Sequence, residues 1–203
     1  MIRRLGRFLA VRIVPFVVVD GLDVFFVDPG VSRERVRERL AEALAHLKQC
    51  DRRRYNLVHR QIRHVMVWPG HYNAYTSLGG VLLASEHIQD ATPAETIGTL
   101  VHEAVHLRMA RRGVRAGGDR QAKIERRCLA EQVDSLLRCS LITPSTADKI
   151  VGALSTEWWS DSAYRLDLEQ LMRKAGLPLW SARLLAAALF FLLSAMWDLV
   201  RGN

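Results

Sequence analysis

Two histidines and a glutamate form the part of this sequence best suited to do chemistry. His102 and His106 are four positions apart, and on an α-helix such residues lie one above the other on the same face. Their two imidazoles can therefore point at one metal ion. Glu103 lies beside them, about 100° around the helix axis, where its carboxylate could act on a metal-bound water.

The helix that would carry these side chains is strongly specified. Thr92 is a candidate N-cap, Pro93 fits the first helical position, and Glu95 completes a capping box. Gly113 ends the helix after an arginine-rich last turn, which suits the helix dipole. We therefore predict a helix over residues 93–112, with one apolar side packed on the protein and the histidines and glutamate facing a cleft. The apolar side consists of Ile97, Leu100, Val101, Ala104 and Val105.

Two arrangements without a zinc site could produce the same pattern of histidines and glutamate. One is a surface helix that carries these residues by chance, as short patterns do in large sequence sets. The second is half of a di-iron site in a helix bundle. A di-iron site needs a second Glu-x-x-His, however, and the sequence has none. The agreement of capping, helical phase and orientation favours the metal site.

Two histidines usually need a third protein ligand to hold a catalytic zinc ion, with water in the fourth position. No histidine follows His106 in the sequence. A downstream third ligand must therefore be a carboxylate, Cys128 or Cys139. The next predicted helix, over residues 119–139, offers the carboxylates.

Helical phase separates the two leading carboxylates, Glu125 and Glu131. Glu125 lies one turn before Leu129 on the predicted buried face, whereas Glu131 falls on the predicted solvent face. A buried carboxylate needs a partner, because burying it alone costs several kcal/mol. A metal ion is such a partner, and Arg108 or Arg126 would be the alternative. Phase favours Glu125 as the ligand and leaves Glu131 as the second candidate.

The spacing of these residues resembles that of the gluzincin metallopeptidases. His102-Glu103-x-x-His106, then eighteen residues, then Glu125 matches the aminopeptidase-type branch. The strand expected just before the metal helix is also similar to the zincin fold, where it lines the substrate cleft. The resemblance covers roughly residues 78–139. The chain lacks the Gly-x-Met-Glu-Asn segment of the aminopeptidase branch, and Leu129 stands where thermolysin-like enzymes have an aspartate.

The resemblance implies a zinc-dependent enzyme that hydrolyses peptide bonds in a peptide or protein substrate. Zn²⁺ would be held by His102, His106 and Glu125, and Glu103 would be the catalytic general base. A second donor should stabilise the oxyanion, and the candidates are His71, Tyr72, Tyr75 and Tyr164. The alternative is a non-catalytic binding protein that keeps a zincin-like fold and associates with membrane or nucleic acid. The presence of Glu103 argues against it, because a structural site needs no base.

The N-terminal part of the chain predicts a hairpin followed by a helix. Apolar runs over residues 14–19 and 22–27 flank Asp20-Gly21, which is a strong hairpin signal. A helix follows over residues 32–50, with Ser32 as its cap and an apolar face. Residues 51–60 could continue this helix or form a basic loop.

Two further strands precede the metal helix. Residues 62–68 alternate in hydropathy, and residues 78–85 begin with Gly79-Gly80. The second strand could expose an edge to an extended peptide, or it could be an ordinary central strand. Together the elements predict a zincin-like α+β fold, in which a small mixed or antiparallel sheet packs on the metal helix. The metallopeptidase core would span residues 1–142, and a helical extension would span residues 143–203.

The charge distribution argues against a nucleic-acid partner. The net charge of +8 splits evenly between the two halves, and no aromatic residues alternate with the basic ones. The richest basic runs cover residues 33–39, 52–54 and 108–127 and could attract phosphates or anionic lipid. Solvated helix faces would account for these runs equally well.

The C-terminal segment over residues 181–200 is strongly apolar. Residues 184–197 are nearly all apolar, and these fourteen residues would rise about 21 Å as a helix, short of a bilayer core of roughly 30 Å. We expect a buried or homodimer-forming helix, with membrane contact as the alternative. The adjacent Trp158 and Trp159 could form a substrate wall or belong to the core.

The three cysteines, Cys50, Cys128 and Cys139, are too few and too scattered to predict a disulfide framework. The sequence also has no Cys-x-x-Cys. We therefore expect a reducing compartment and a cytoplasmic protein, with membrane association through the C-terminal segment as the alternative.

Overall fold

The computed structural model describes residues 14–69, 73–75, 79–114 and 119–153. These residues form five strands and six helices. In chain order, the elements are β1 (Phe16–Val19), β2 (Leu22–Phe26), α1 (Arg33–Cys50), α2 (Arg52–Gln61), β3 (His64–Trp68), β4 (Ala74–Tyr75), β5 (Gly80–Ala84), α3 (Ser85–Asp90), α4 (Pro93–Arg111), α5 (Asp119–Arg138) and α6 (Pro144–Ala153).

The predicted hairpin is confirmed. β1 and β2 are antiparallel, and Val19 pairs with Leu22 across a two-residue turn. Asp20 and Gly21 both have positive φ, 47° and 82°, as a type I′ turn requires at its two central residues. The Asp-Gly pair therefore sets both the turn and the register of the hairpin.

The five strands form one mixed sheet in the order β1-β2-β3-β5-β4. The three inner strands are parallel, and the two outer strands are antiparallel to their neighbours. β5 is therefore a central strand. Of the two alternatives for residues 78–85, an exposed edge or an ordinary central strand, the structure shows the second. The edge next to β5 is the short strand β4, which also contacts α4.

Two consecutive helices cross over from β2 to β3. The predicted helix over residues 32–50 is confirmed as α1, with the Ser32 side chain accepting a hydrogen bond at its N-terminus. The ambiguous residues 51–60 form a second helix, α2, because Asp51 accepts a bond from the Arg54 N–H and caps it. Both helices pack against α4.

Helix α4 begins at the predicted residue with the predicted N-terminal cap, and it ends at Arg111, one residue before the predicted end. The Glu95 carboxylate accepts the Thr92 N–H at 2.8 Å, and Thr92 Oγ1 accepts the Glu95 N–H at 3.2 Å. This reciprocal capping box fixes where the helix begins. Its five predicted apolar positions are all fully buried, and α4 packs against α1, α2, α5 and β4. The metal-binding candidates are thus carried by the central helix of the described core.

A disulfide bond joins the end of α1 to the residue after α5, between Cys50 and Cys139. The sequence predicted no disulfide framework and gave no sign of this single bond, because the fold brings together residues 89 positions apart. The premise for a reducing compartment therefore does not hold. Cys128 is free and buried.

The content of helices and strands agrees with the predicted α+β class: a small mixed sheet is followed by a helical half. α6 packs on α5 through an apolar cluster that includes Leu129, Val133 and Ala147. No helix within the described ranges is both long and apolar enough to cross a bilayer. The expectations for Trp158, Trp159 and residues 181–200 lie outside the described residues.

Candidate metal centre

Helices α4 and α5 bring the two histidines and Glu125 together. His102 Nε2 and His106 Nε2 are 3.0 Å apart. Glu125 Oε2 lies 3.2 Å from the first nitrogen and 3.3 Å from the second. Three side chains predicted from the spacing of the sequence therefore place one donor atom each in a nearly equilateral triangle.

The size of this triangle fits a small tetrahedral cation. Zinc bonds to histidine nitrogen and carboxylate oxygen are about 2.0–2.2 Å long, so tetrahedral ligands lie about 3.3–3.5 Å from one another. The separations of 3.0, 3.2 and 3.3 Å are only slightly shorter. Two imidazole nitrogens and one carboxylate oxygen are also a donor set that suits zinc.

Gln132 orients the first of the two imidazoles. Its Oε1 lies 3.1 Å from His102 Nδ1. Because an amide oxygen only accepts hydrogen bonds, this contact places a proton on Nδ1, so Nε2 would be the nitrogen that the neutral imidazole offers to a metal ion. Metal-binding histidines are commonly held in this way by an outer partner. Sequence reasoning missed Gln132, although it lies seven residues, or two helical turns, after Glu125 on the same face.

Gly98 lets α5 approach α4 closely at this point. A Cβ atom on Gly98 would lie 2.7 Å from Gln132 Nε2, a distance that carbon and nitrogen cannot keep. Any larger residue would displace the glutamine side chain and its contact with His102. The glycine is therefore part of the support of the site.

Glu125 is held as an anion. Burial alone would raise its pKa, but hydrogen bonds from His102 and His106 outweigh burial and lower the pKa of Glu125 to about 2. Gln121 Nε2 also donates to its second oxygen, Oε1, at 2.6 Å. Oε2 is thus left facing the two imidazoles.

The same contacts favour positive charge on His102. Burial lowers its pKa, but the hydrogen bond to Glu125 and the charges of Glu103 and Glu125 together raise the pKa of His102 above its ordinary value. A cluster that favours an extra proton is electrostatically suited to a cation.

Glu103 is more enclosed than the sequence suggests. It is 7% exposed, and His106 is also buried. The His102 side chain, 20% exposed, is the member nearest to solvent. Of the three side chains expected to face a cleft, Glu103 and His106 are therefore largely enclosed. Burial, the largest influence, raises the pKa of Glu103, and Glu125 raises it further, while His102 and His106 act in the opposite direction.

Cys128 adds a fourth donor on α5, one turn after Glu125. Its sulfur lies within 4.8 Å of the donor nitrogens of His102 and His106. Burial raises the pKa of the Cys128 thiol, so the thiol is neutral unless a metal takes its proton. Cys139, the other cysteine considered as a ligand, is bonded to Cys50.

Glu131 lies away from the histidines, in a separate ionic cluster. The expectation that it occupies the solvent face is wrong, because its side chain is buried and binds three arginines. These are Arg54, Arg108 and Arg127, at 2.9, 3.2 and 2.8 Å. Arg54 is buried as well and also pairs with Asp51 at 3.2 Å and with Asp134. We call these six residues the arginine cluster.

The arginine cluster removes one of the alternatives that sequence reasoning left open. Arg108, considered as a partner for Glu125, binds Glu131 instead. Asp134 pairs with Arg54 and Arg138. The candidates for stabilising the oxyanion all lie outside the described residues. They are His71, Tyr72, Tyr164 and the side chain of Tyr75.

Comparisons of the chain with protein-family models, with curated proteins and with solved structures found no match. The site is thus defined by the positions and distances of its own side chains.

Proposed function

We propose that this protein is a zinc-dependent metallopeptidase in which His102, His106 and Glu125 hold the ion. The observation that supports the proposal is the triangle of donor atoms, with sides of 3.0, 3.2 and 3.3 Å. A zinc ion bound there would polarise a substrate carbonyl and lower the pKa of a bound water towards neutrality.

Glu103 is the general base of the proposed reaction. It follows His102 directly on α4, and its burial raises the pKa of the carboxyl group. A base whose pKa is closer to the working pH exchanges protons more effectively. Glu103 takes the proton of the attacking water and then delivers it to the amine that leaves.

The sheet offers a place for an extended substrate beside this helix. β4 is the edge strand, pairs with β5 alone among the described strands and contacts α4. An added peptide strand can bind such an edge through main-chain hydrogen bonds. We therefore place the substrate between β4 and α4, in a zincin-like arrangement.

The test is the variant Glu103→Gln. It keeps the size and polarity of the side chain but removes the base, so peptide hydrolysis should fall by about 10²–10⁴-fold. Its zinc content, measured by elemental analysis, should stay at one ion per chain. A matched control is Glu42→Gln on α1, an exposed carboxylate in an ion pair with Arg39, which should retain full activity. Full activity of Glu103→Gln would disprove the mechanism.

One observation favours a second candidate, a non-catalytic metal protein. Glu103 and His106 are buried, and the Cys128 sulfur lies within 4.8 Å of the donor nitrogens of both histidines, which makes Cys128 a candidate additional ligand. Closed four-ligand sites are structural, whereas catalytic sites keep an open position. Cobalt substitution distinguishes the two, because a thiolate ligand gives a sulfur-to-cobalt charge-transfer band that should disappear in Cys128→Ser. No such band, together with peptide hydrolysis, would reject the second candidate.

A further inference from the structure

A second group of metal-binding side chains lies where the end of α1 meets the residue after α5. His46 and Cys50 are four positions apart on α1, so their side chains lie on one face of that helix. Cys139 directly follows α5 and is bonded to Cys50. One ring nitrogen of His46 and the two sulfur atoms all lie within 4.8 Å of one another. We call these three residues the sulfur site.

The ring of His46 is held beside the disulfide bond by a main-chain contact. His46 Nε2 lies 3.3 Å from the carbonyl oxygen of Cys139. A carbonyl oxygen only accepts hydrogen bonds, so the imidazole donates this one. Metal-binding histidines are commonly fixed by an N–H that donates to a backbone carbonyl. A disulfide bond needs no imidazole beside it, so the bond alone does not explain the position of His46.

The reduced sulfur site would offer a donor set that suits zinc. Two cysteine thiolates and one imidazole bind zinc in known sites, with water or substrate in the fourth position. The two negative charges of the thiolates balance the charge of Zn²⁺. This balance matters because Cys139 is only 5% exposed, and an uncompensated charge is costly in such a place.

The disulfide bond and the zinc ion exclude each other. Zinc binds the thiolate form of cysteine, and a disulfide contains no thiolate. The Cα atoms of Cys50 and Cys139 are 4.9 Å apart. Sulfur atoms bound to one tetrahedral zinc ion are about 3.8 Å apart, so both cysteines can reach one ion once the bond is broken.

A reductant has access to one end of the bond. Cys50 is partly exposed, whereas Cys139 is buried. In thiol–disulfide exchange the attacking thiolate needs access to a sulfur atom. We therefore expect attack at Cys50, with Cys139 as the leaving thiolate.

A small dithiol can complete the reduction. Its first thiolate bonds to the Cys50 sulfur and breaks the bond to Cys139. Its second thiolate then attacks its own first sulfur and releases Cys50, so the dithiol leaves as a cyclic disulfide. The dithiol is oxidised by two electrons, and its two protons pass to the sulfurs of Cys50 and Cys139. Zinc binding then releases both protons to solvent.

We propose that His46, Cys50 and Cys139 form a second zinc site, which binds the ion only when the disulfide bond is reduced. The two thiolates and the imidazole are its ligands. Cys139 lies fourteen residues after Glu125, roughly 20 Å along α5. The second site is therefore separate from the first and does not depend on the proposed peptidase function.

The experiment counts zinc in the full chain before and after reduction. A phosphine is the reductant, because it leaves no added thiol to compete for zinc. The chain is then equilibrated with zinc, desalted without oxygen and measured by elemental analysis. The reduced chain should hold one zinc ion more than the oxidised chain. The same number of ions, or fewer, would overturn the sulfur site.

Three variants test the ligands of the additional ion. Cys50→Ser removes a thiolate, so reduction should add no zinc. His46→Ala keeps both cysteines and should weaken binding of the additional ion by at least about tenfold, measured by competition with a chelating dye. The matched control is His59→Ala on α2, a partly exposed histidine that lies 3.3 Å from Asp20, and it should bind the additional ion as the wild type does. Additional zinc in Cys50→Ser, or unchanged affinity in His46→Ala, would contradict the proposal.

Cobalt gives a second readout that does not depend on counting ions. The chain carrying Cys128→Ser keeps only the cysteines of the sulfur site. Reduction should therefore produce a sulfur-to-cobalt charge-transfer band that is absent from the oxidised chain, and no band after reduction would count against the site.

The two proposals in this protein fail separately. If reduction adds one zinc ion and no peptide is cleaved, the second site stands and the peptidase fails. If peptides are cleaved and reduction adds no zinc, the peptidase stands and the second site fails.

Discussion

Two carboxylates on α5, one largely covered and one fully buried, have opposite surroundings. Glu125 faces two imidazoles, and Glu131, six residues later, faces three guanidinium groups. Both have lowered pKa values. An arginine is always charged and satisfies a carboxylate permanently, whereas a neutral imidazole leaves a lone pair for another cation. The comparison teaches that partner chemistry, rather than burial, separates a candidate metal site from a structural ion cluster.

The largest expected difference between the two carboxylates is in metal binding. Glu125→Ala removes a proposed ligand, so zinc affinity should fall by more than the roughly 10- to 100-fold that changes in outer partners cause. Glu131→Ala should leave one zinc per chain. Elemental analysis after dialysis against a weak chelator measures both. Loss of zinc in Glu131→Ala alone would reverse the assignment of the two sites.

Substitution of Glu131 in the arginine cluster should instead have its main effect on the free energy of unfolding. Glu131→Ala removes the buried carboxylate that Arg54 and Arg108 share, although Arg54 keeps Asp51 and Asp134. Breaking a buried ion pair on one side costs up to about 3–5 kcal/mol. Denaturant unfolding of the metal-free chain should show this loss in the free energy of unfolding. In the same measurement Arg138→Ala, which removes an exposed pair with Asp134, should change it by less than about 1 kcal/mol. Similar losses in both variants would contradict a buried cluster.

Loss of the contact that orients His102 should have a smaller effect on the affinity for zinc. Gln132→Ala removes the acceptor of the Nδ1 proton, and Gly98→Ala should push the same amide away. Each should weaken zinc binding by about 10- to 100-fold without abolishing it. Competition with a chelating dye gives the affinities. Wild-type affinity in both variants would mean that Gln132 does not orient the imidazole.

The smallest predicted effect concerns the free energy of unfolding at acidic pH. Hydrogen bonds and charges from Arg108 and Arg54 outweigh burial and lower the pKa of Glu131. The folded pKa is below the unfolded one, so this stabilisation is full above about pH 5 and is lost as the pH falls through the folded pKa. The gap in unfolding free energy between wild type and Glu131→Gln should therefore shrink as the pH falls from 6 to 3. A constant gap would contradict the lowered pKa.

Short sequence patterns correctly predicted the features that depend on neighbouring residues, such as helix caps and tight turns. The ends of α4 follow from Thr92, Glu95 and Gly113, and the hairpin follows from Asp20-Gly21. The convergence of His102, His106 and Glu125 follows from helical phase on two successive helices. These features depend on residues close in the sequence, and the structure has them where they were expected.

Features that depend on distant parts of the chain were not predictable in this way. A prediction from helical phase assumes that a helix has one buried face, and it therefore placed Glu131 on the solvent side. In the structure, Arg54 of α2 covers a second face of α5. The Cys50–Cys139 bond likewise requires the ends of two helices to meet. β4 is only two residues long, too short for any hydropathy period to reveal it.

The bond between Cys50 and Cys139 has a topological consequence. It closes a ring that contains all of α4 and all of α5, so both clusters lie inside a covalently circular part of the chain. In the entropy model, such a cross-link, over 89 positions, disfavours the unfolded chain by about 4–5 kcal/mol. A single proteolytic cut within the ring would leave both fragments attached, and they would migrate separately in electrophoresis only after a thiol reductant opens the ring.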